Sequence, residues 1–106
     1  MRRGEVWWAE LGLPAGPRPV VLISRDEAYA VRSLVVVAPV TTRIRSIPSE
    51  VRLGSDDGLP LECVANLDTI TTIPKDCLGD RLTVLGTRRL KEIDAATRFA
   101  LGLEQA

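Results

Sequence analysis

Short apolar segments, each ended by glycine, proline or polar residues, occupy the first 85 residues of this chain. Their length and their content of Val, Ile, Thr and Trp are typical of β-strands. We predict strands at 3–10, 19–24, 34–40, 50–53, 62–65, 69–73 and 79–85. The segments between them predict a helical turn at 25–32, a loop or frayed strand at 41–49, and turns at 56–58 and 74–76. Pro39 implies that its strand lies at an edge or carries a bulge near its end.

The last segment has helical periodicity instead. Thr87 is its expected N-cap and Gly102 its stop signal. Between them, Leu90, Ile93, Thr97, Ala100 and Leu101 recur at helical spacing. Many short strands followed by one helix predict a mainly β (α+β) fold, a small and strongly curved barrel-like sheet capped by a C-terminal α-helix. With 106 residues, the chain is expected to form one domain, 1–106.

Composition excludes several classes of site. The chain has no histidine, which excludes a His-based triad, a His-paired ribonuclease mechanism and any His-containing metal site. Nucleophile-elbow, phosphate-loop and dinucleotide-binding motifs are absent. Cys63 and Cys77 cannot form a zinc site alone and are expected to be buried, reduced thiols, with a disulfide as the alternative. The Asp56-Asp57 pair beside Gly58 is interpreted as a solvated turn. We therefore predict no metal and no cofactor.

The charge distribution is uneven although the whole chain is neutral. Residues 1–53 carry eight basic and five acidic side chains, a net charge of +3, and residues 54–106 carry six and nine, a net charge of −3. Twelve of the 14 basic residues are Arg, which suits planar phosphate recognition. This asymmetry indicates a polyanion bound on one face, although an Arg-rich genome explains the composition equally well. No apolar run of 18 residues and no signal-peptide core occurs, so we expect a soluble, cytoplasmic protein with no membrane partner.

Polar residues at the ends of buried strands are the best candidates for chemistry. Arg18 precedes one apolar strand, and Thr41 follows the next. If these strands are antiparallel neighbours, both residues lie at the same end of the sheet, where a guanidinium beside a hydroxyl can bind an oxyanion or a phosphate. The alternative is that both side chains are simply solvated.

The segment after Thr41 and the first strand add candidates for nucleic-acid binding. Arg43 and Arg45 alternate with neutral residues, which in an extended segment places both on one face to follow a phosphate backbone. An ordinary charged loop explains the same pattern equally well. Trp7 and Trp8 point to opposite faces of the first strand, so we expect one in the core. The other is available to stack a base or to pack across a dimer seam.

Five blocks, in this order, resemble the MazF/PemK family of toxin endoribonucleases (mRNA interferases) of type II toxin–antitoxin systems. The resemblance spans roughly residues 2–103. The blocks are Arg3-Gly4-Glu5-Val6-Trp7, Arg18-Pro19-Val20-Val21, Ala38-Pro39-Val40-Thr41-Thr42, the run from Ala65-Asn66-Leu67-Asp68 to Ile73, and Leu78-Gly79-Asp80-Arg81-Leu82.

The resemblance implies an SH3-like β-barrel of the CcdB/PemK type with a C-terminal helix, assembled as a homodimer. It implies sequence-specific, metal-independent cleavage of single-stranded RNA to 2′,3′-cyclic phosphate and 5′-hydroxyl products, which inhibits translation and growth. The substrate would be mRNA, with tRNA or rRNA as alternatives. A cognate antitoxin with an acidic C-terminal segment would occupy the RNA groove.

The resemblance also assigns roles to residues. Arg18 would stabilise the phosphorane and act in proton transfer, the first role being the stronger because a guanidinium is a poor base. Thr41 would bind the scissile phosphate. The loop at 11–17 is shorter than in many members and has no carboxylate, which leaves Glu10 as the nearest candidate base. We expect RNA contacts from Trp7, Thr42, Arg43, Arg45 and Ser46.

Two other functions remain open. A CcdB-like toxin would poison DNA gyrase without catalysis, and an RNA-binding barrel would bind without cleaving. The target contact of CcdB is a C-terminal Trp-Gly-Ile, whereas this chain ends Leu101-Gly102-Leu103-Glu104-Gln105-Ala106 and retains Arg18 and Thr41, which favours the nuclease. The apolar strands at 20–23 and 34–37 need cover on both faces, and we expect a second copy to supply it.

Overall fold

A computed structural model describes residues 1–103 of the chain. Its strands are β1 (Glu5–Glu10), β2 (Pro17–Leu22), β3 (Leu34–Thr41), β4 (Glu50–Leu53), β5 (Cys63–Asn66), β6 (Thr71–Pro74) and β7 (Leu78–Val84). The helices are α1 (Ala28–Val31) and α2 (Thr87–Leu101), with short 3-10 turns at Ser55–Asp57, Leu67–Thr69 and Lys75–Cys77. The predicted class, mainly β with a C-terminal helix, is confirmed.

All the strands join one antiparallel sheet in the order β4-β5-β3-β2-β1-β7, and β6 pairs with the first half of β3. The sheet is curved but does not close, because β4 and β7 are its two edges in the part of the chain described. β3 is the central strand, and its second half runs toward β5 and the loop at 42–49.

The edge position predicted for Pro39 is wrong, and the alternative, a bulge, is not seen in its register with β2. On the side away from β2, β3 pairs with β6 up to Val37 and with β5 from Val40 onward. Pro39 stands in the gap between these two partners, where a missing N–H breaks no ladder on that side. The exchange of partners therefore allows a proline in the middle of the sheet.

Most strand limits agree with the sequence prediction within two residues, and β4 agrees fully. β2 begins earlier than predicted, because Pro17 and Pro19 pair with β1 alone, whereas pairing with β3 starts at Val20. β6 begins at Thr71 because a 3-10 turn occupies the preceding residues. Thr87 is the first residue of α2 rather than its cap, and the N-cap is Gly86.

The expectation that a second copy must cover the buried strands is also wrong. Val6, Val21, Ala38 and Val40 on one face of the sheet pack in a core that includes Ile93 and Ala96 of α2. Val20, Leu22, Val35 and Val37 on the other face pack with Tyr29 of α1 and Ile73 of β6. Two small cores thus cover β2 and β3 on both faces within one chain.

Ion pairs attach α2 to the sheet. Arg3 Nη2 lies 2.7 Å from Asp94 Oδ1, and Arg89 Nε lies 2.9 Å from Asp57 Oδ1. Hydrogen bonds to Asp57 and Glu92 raise the pKa of Arg89 above its ordinary value. The interpretation of Asp57 as a solvated turn residue is therefore wrong, since its carboxylate is buried and paired.

Both cysteines are free thiols. Cys63 is buried as predicted, and burial, followed by the nearby charges of Asp57 and Glu62, raises the pKa of its thiol. Cys77 is half-buried, which differs from the prediction. No helix within residues 1–103 has the length and apolar character needed to cross a membrane.

Candidate active site

Arg18 and Thr41 come together at one end of β2 and β3. The printed register pairs Val20 with Pro39, and its continuation by two residues places Arg18 opposite Thr41. Both residues line a cavity of about 220 Å³, which we call the arginine cavity, together with Pro39, Arg43, Arg45, Asn66 and Thr69. The juxtaposition expected from the two strand ends is present in the structure.

The arginine cavity has the charge of an anion site. Its lining contains three guanidinium groups and no carboxylate. The side chain of Arg18 makes no hydrogen bond or ion pair within residues 1–103, and its Nε is shielded from solvent without a partner. A buried donor left unpaired destabilises the free protein, and an oxyanion that accepts its hydrogen bond removes that penalty. In the same residues, no group of three Cys, Asp or Glu side chains is arranged to hold a metal ion.

The hydroxyl of Thr41 is oriented by the loop that follows it. Its Oγ1 accepts a hydrogen bond from the backbone N–H of Arg43 at 3.2 Å. A hydroxyl that accepts in this way keeps its own proton for another acceptor. Thr41 therefore starts the loop and offers a donor to a group bound in the cavity.

Glu50 holds the arginine-bearing loop in place. Its side chain is 1% exposed, and its Oε1 accepts from the backbone N–H groups of Arg45 at 2.9 Å and Ser46 at 3.0 Å. Its Oε2 lies 4.0 Å from Arg45 Nη1. Ser46 adopts the left-handed conformation, with φ of 58°. Sequence reasoning missed Glu50, whose role depends on contacts made across an irregular loop.

A second network of hydrogen bonds holds Asn66, one of the residues that line the cavity. Oδ1 of Asn66 accepts from the backbone N–H of Asp68 at 2.9 Å, and Asp68 Oδ2 accepts from the buried hydroxyl of Ser49 at 2.5 Å. The N–H of Leu67 donates to the carbonyl of Ser49 at 2.9 Å. Sequence reasoning also missed Asn66, although an Asn two residues before an Asp is a recognisable side-chain-capped turn.

Three of the residues expected to contact RNA lie outside the arginine cavity. Trp7 is half-buried against the second core, and its Nε1 donates to Glu5 Oε1 at 2.8 Å. Thr42 lines a different cavity, and the N–H of Ser46 is used in the bond to Glu50. Only Arg43 and Arg45 of that predicted group meet Arg18 and Thr41.

Glu5, the partner of Trp7, is a buried carboxylate. Burial alone raises its pKa, but hydrogen bonds from Trp7 and from the N–H of Arg2 lower it, as do the charges of the amino terminus and Arg81. The net result is a pKa below the ordinary value of 4.5. Glu5 is therefore ionised in the folded protein and ties the first strand to β7 through Arg81.

Glu10 is not placed to serve as a base for Arg18. It pairs with Pro17, and Arg18 pairs with Ala9. Because successive side chains of a strand point to opposite faces, Glu10 and Arg18 leave the sheet on different sides. Glu10 is exposed and is not among the residues that line the arginine cavity.

A second cavity of about 320 Å³, which we call the apolar cavity, adjoins the first through the shared residue Thr41. Trp8, which is 43% exposed, lies on its wall, as do Pro19, Leu59, Leu61 and Leu82. Trp8 rather than Trp7 is therefore the tryptophan exposed beside the candidate site. The cationic cavity and the apolar cavity thus share one residue, Thr41.

The sequence is similar to that of known toxins. Residues 2–101 match the family described as PemK-like, MazF-like toxin of type II toxin–antitoxin system. The probable endoribonuclease MazF2 of Mycobacterium tuberculosis is 39% identical over 104 residues, which cover 96% of this chain and 99% of that protein. The probable endoribonuclease MazF5 of the same organism is 42% identical over 101 residues, covering 93% and 91% of the two chains.

Solved structures have the same fold. An endoribonuclease in complex with its cognate antitoxin, from a mycobacterial species, superimposes with a TM-score of 0.89 at 34% identity, covering 100% of this chain and 99% of that chain. The Mycobacterium tuberculosis toxin MazF-mt6 superimposes with a TM-score of 0.87 at 28% identity, covering 95% and 99%.

Proposed function

The chain belongs to the PemK-like, MazF-like family of type II toxins and is an endoribonuclease, and we propose that it cleaves single-stranded RNA in the arginine cavity. The observation that carries this proposal is the pairing of Arg18 with Thr41 in a cavity that has three guanidinium groups and no carboxylate. Such a cavity attracts a phosphodiester, and the two strand ends hold its donors in fixed positions before the substrate arrives.

The chemistry that suits these donors is internal transesterification. The 2′-oxygen of the ribose attacks phosphorus, the new P–O2′ bond forms and the P–O5′ bond breaks, which yields a 2′,3′-cyclic phosphate and a 5′-hydroxyl. The phosphorane on this path carries more negative charge on its nonbridging oxygens than the phosphodiester does. Arg18 and Thr41 donate to those oxygens and so bind the transition state more tightly than the substrate.

The site is better suited to charge stabilisation than to proton transfer. The proton of the attacking 2′-hydroxyl passes to solvent, since no carboxylate lines the cavity and Glu10 leaves the sheet on the other side. The departing 5′-oxygen takes a proton from the guanidinium of Arg18, which regains one from water. Arg18 is therefore a charge stabiliser first and a proton donor second.

Arg43 and Arg45 bind the phosphates that flank the cleaved one. They lie on the same cavity as Arg18, on a loop that Glu50 holds from behind. Each phosphate contact releases counterions, so binding falls as salt rises. The substrate is mRNA, with tRNA or rRNA as the alternatives, and the sequence that is cleaved depends on the loops at 11–17 and 42–49.

A cognate antitoxin is the expected protein partner. We propose that an extended, acidic C-terminal segment of the antitoxin binds the arginine cavity and excludes RNA by contact with Arg18 and Thr41. The unpaired guanidinium of Arg18 favours a carboxylate as it favours a phosphate. Labelled RNA and an acidic antitoxin peptide should compete for the protein, and simultaneous binding of both would contradict a shared site.

We also propose a homodimer, on a surface different from the strands that were first expected to need cover. Trp8, Leu61 and Leu82 stay exposed around the apolar cavity, and Leu82 lies on the edge strand β7. Because Thr41 lines both cavities, a second copy on this surface would lie next to the strand end that carries Thr41. The protein is proposed to act in the cytoplasm as a single toxin domain, 1–106.

Product analysis tests the proposed function. Purified protein is incubated with a 5′-labelled single-stranded RNA pool in EDTA, and the fragments are examined for end groups. We expect cleavage at a short recurring sequence, with fragments that accept phosphate from polynucleotide kinase at the new 5′ end only. RNA binding without cleavage would indicate an RNA-binding barrel, and inhibition of gyrase supercoiling without cleavage would indicate a CcdB-like toxin.

A further inference from the structure

Asn66 is a buried polar residue on the floor of the arginine cavity. It is the last residue of β5, it is 8% exposed, and it lines the cavity with Arg18 and Thr41. Its position follows from the sheet, because β5 pairs with β3 next to Thr41 and with β4 at Glu50. No role for Asn66 followed from the strand pattern or from the charge of the sequence.

The orientation of the Asn66 amide is fixed by one hydrogen bond. Its Oδ1 accepts from the N–H of Asp68 at 2.9 Å and caps the 3-10 turn Leu67–Thr69. Its NH2 group makes no hydrogen bond within residues 1–103. An amide group has two donors, so the side chain presents unused donors in a cavity whose other polar lining is arginine and threonine.

Capping alone does not explain an asparagine here. An N-cap needs only an oxygen acceptor, which Asp, Ser and Thr supply as well as Asn does. The NH2 group is not one of the buried, unpaired side-chain atoms of residues 1–103, so it is accessible and its donors are free to bind a group in the cavity. An anion that enters the cavity can accept hydrogen bonds from this NH2 group.

We propose that Asn66 is a third catalytic residue, whose NH2 group donates a hydrogen bond to a nonbridging oxygen of the scissile phosphate. This inference rests on the proposed cleavage in the arginine cavity. The amide is held by its cap before substrate binds, so it needs no reorganisation when charge develops on the phosphorane. Arg18 supplies the charge, Thr41 supplies a hydroxyl, and Asn66 supplies a neutral donor from the neighbouring strand.

Two substitutions separate the donor from the cap. Asn66→Ser and Asn66→Asp both keep an oxygen for the N–H of Asp68 and both remove the NH2 group. Each should keep a melting temperature near that of the parent and lose kcat by about 10²-fold, the typical effect of one oxyanion-hole donor. KM should change little in Asn66→Ser and should rise in Asn66→Asp, because the new carboxylate repels the substrate phosphate. Full kcat in both variants would overturn the proposal.

Ser49→Ala is the matched control. It removes the hydroxyl that donates to Asp68 and loosens the same turn, but Ser49 does not line the arginine cavity. It should lower the melting temperature and leave kcat near that of the parent. A loss of kcat in Ser49→Ala equal to that in Asn66→Ser would mean that the turn acts only through its stability.

Phosphorothioate substrates identify the oxygen. The two diastereomers replace one nonbridging oxygen or the other with sulfur, a weak acceptor. In one diastereomer, sulfur replaces the nonbridging oxygen that Asn66 contacts, and Asn66→Ser and the parent should cleave it at similar rates. The other diastereomer keeps that oxygen, so Asn66→Ser should cleave it more slowly than the parent by the full factor seen with unmodified RNA. An equal loss on both would overturn the phosphate contact. The proposed function fails separately, if Arg18→Ala cleaves as fast as the parent.

Discussion

The side chains of Arg18 and Thr41 line one cavity because they stand opposite each other at the adjoining ends of β2 and β3. The two residues are far apart in the sequence, and antiparallel pairing alone brings them together. The two side chains differ in the hydrogen bonds that they already make. Arg18 has none within residues 1–103, and Thr41 uses only an oxygen lone pair, so donors of both remain free for a substrate phosphate.

Thr41→Ala should slow cleavage less than Arg18→Ala does, because a hydroxyl donates one hydrogen bond where a guanidinium donates several. Thr41→Ser keeps both the acceptor for the N–H of Arg43 and the donor, and it should retain most of the activity. Single-turnover rates on one RNA substrate compare the three variants. A loss in Thr41→Ala equal to or larger than that in Arg18→Ala would show that the two roles are assigned wrongly.

Replacement of Arg43 and Arg45 together by alanine should weaken RNA binding and its dependence on salt. Each phosphate contact to a single strand contributes about 0.7 to the slope of log K against log salt, so the slope should fall by about 1.4. Fluorescence anisotropy over a salt series measures it. Arg25 and Arg32 are exposed on the α1 segment, and their double alanine variant is the control. An unchanged slope in the Arg43/Arg45 variant would identify the loop as an ordinary solvated segment.

Glu5 should make the stability of the fold depend on pH in acid. Its pKa is lower in the folded protein than the ordinary 4.5, so its contribution is complete above that value and is lost as the pH falls through the folded pKa. Glu5→Gln lacks this contribution to the free energy of unfolding at every pH. Its stability should therefore not show the loss that the parent shows in acid. Urea unfolding at neutral pH and at about pH 3 should show the difference between parent and variant shrinking in acid. A difference that stays constant would contradict the lowered pKa.

Leu82→Glu should convert a dimer into a monomer, because Leu82 is exposed on the edge strand β7 beside the apolar cavity. A charged carboxylate on an apolar contact surface is left desolvated and unpaired in the complex. Val31→Glu changes an exposed apolar residue on α1 and serves as the control. Sedimentation velocity distinguishes the species. A parent protein that is a stable, active monomer would refute the dimer.

The sequence predicted the part of this fold that local patterns determine. Short apolar runs located each strand, and the strand-end positions of Arg18 and Thr41 predicted the site once antiparallel pairing was assumed. Alternation also placed Trp7 and Trp8 on opposite faces. It could not tell which of them faces the core, because both faces of the sheet are covered.

The remaining features depend on contacts between distant segments. Asn66 reaches the cavity because β5 pairs with β3, and Glu50 supports the loop because its carboxylate turns back toward Arg45 and Ser46. Neither contact leaves a periodic signal in the sequence. Glu10 was the candidate base because it is near Arg18 in the first hairpin, but the register places the two on different faces.

Cleavage by Arg18→Ala tests the central claim most directly. Arg18 lies at the start of β2 outside both cores, and its buried Nε has no partner to lose, so the variant should fold with a melting temperature at least as high as that of the parent. In EDTA, its single-turnover rate on RNA that the parent cleaves should fall by about 10²–10³-fold, the loss expected when charge stabilisation of the phosphorane is removed. A folded Arg18→Ala protein that cleaves the same RNA at the parent's rate would contradict the assignment of the arginine cavity as the active site.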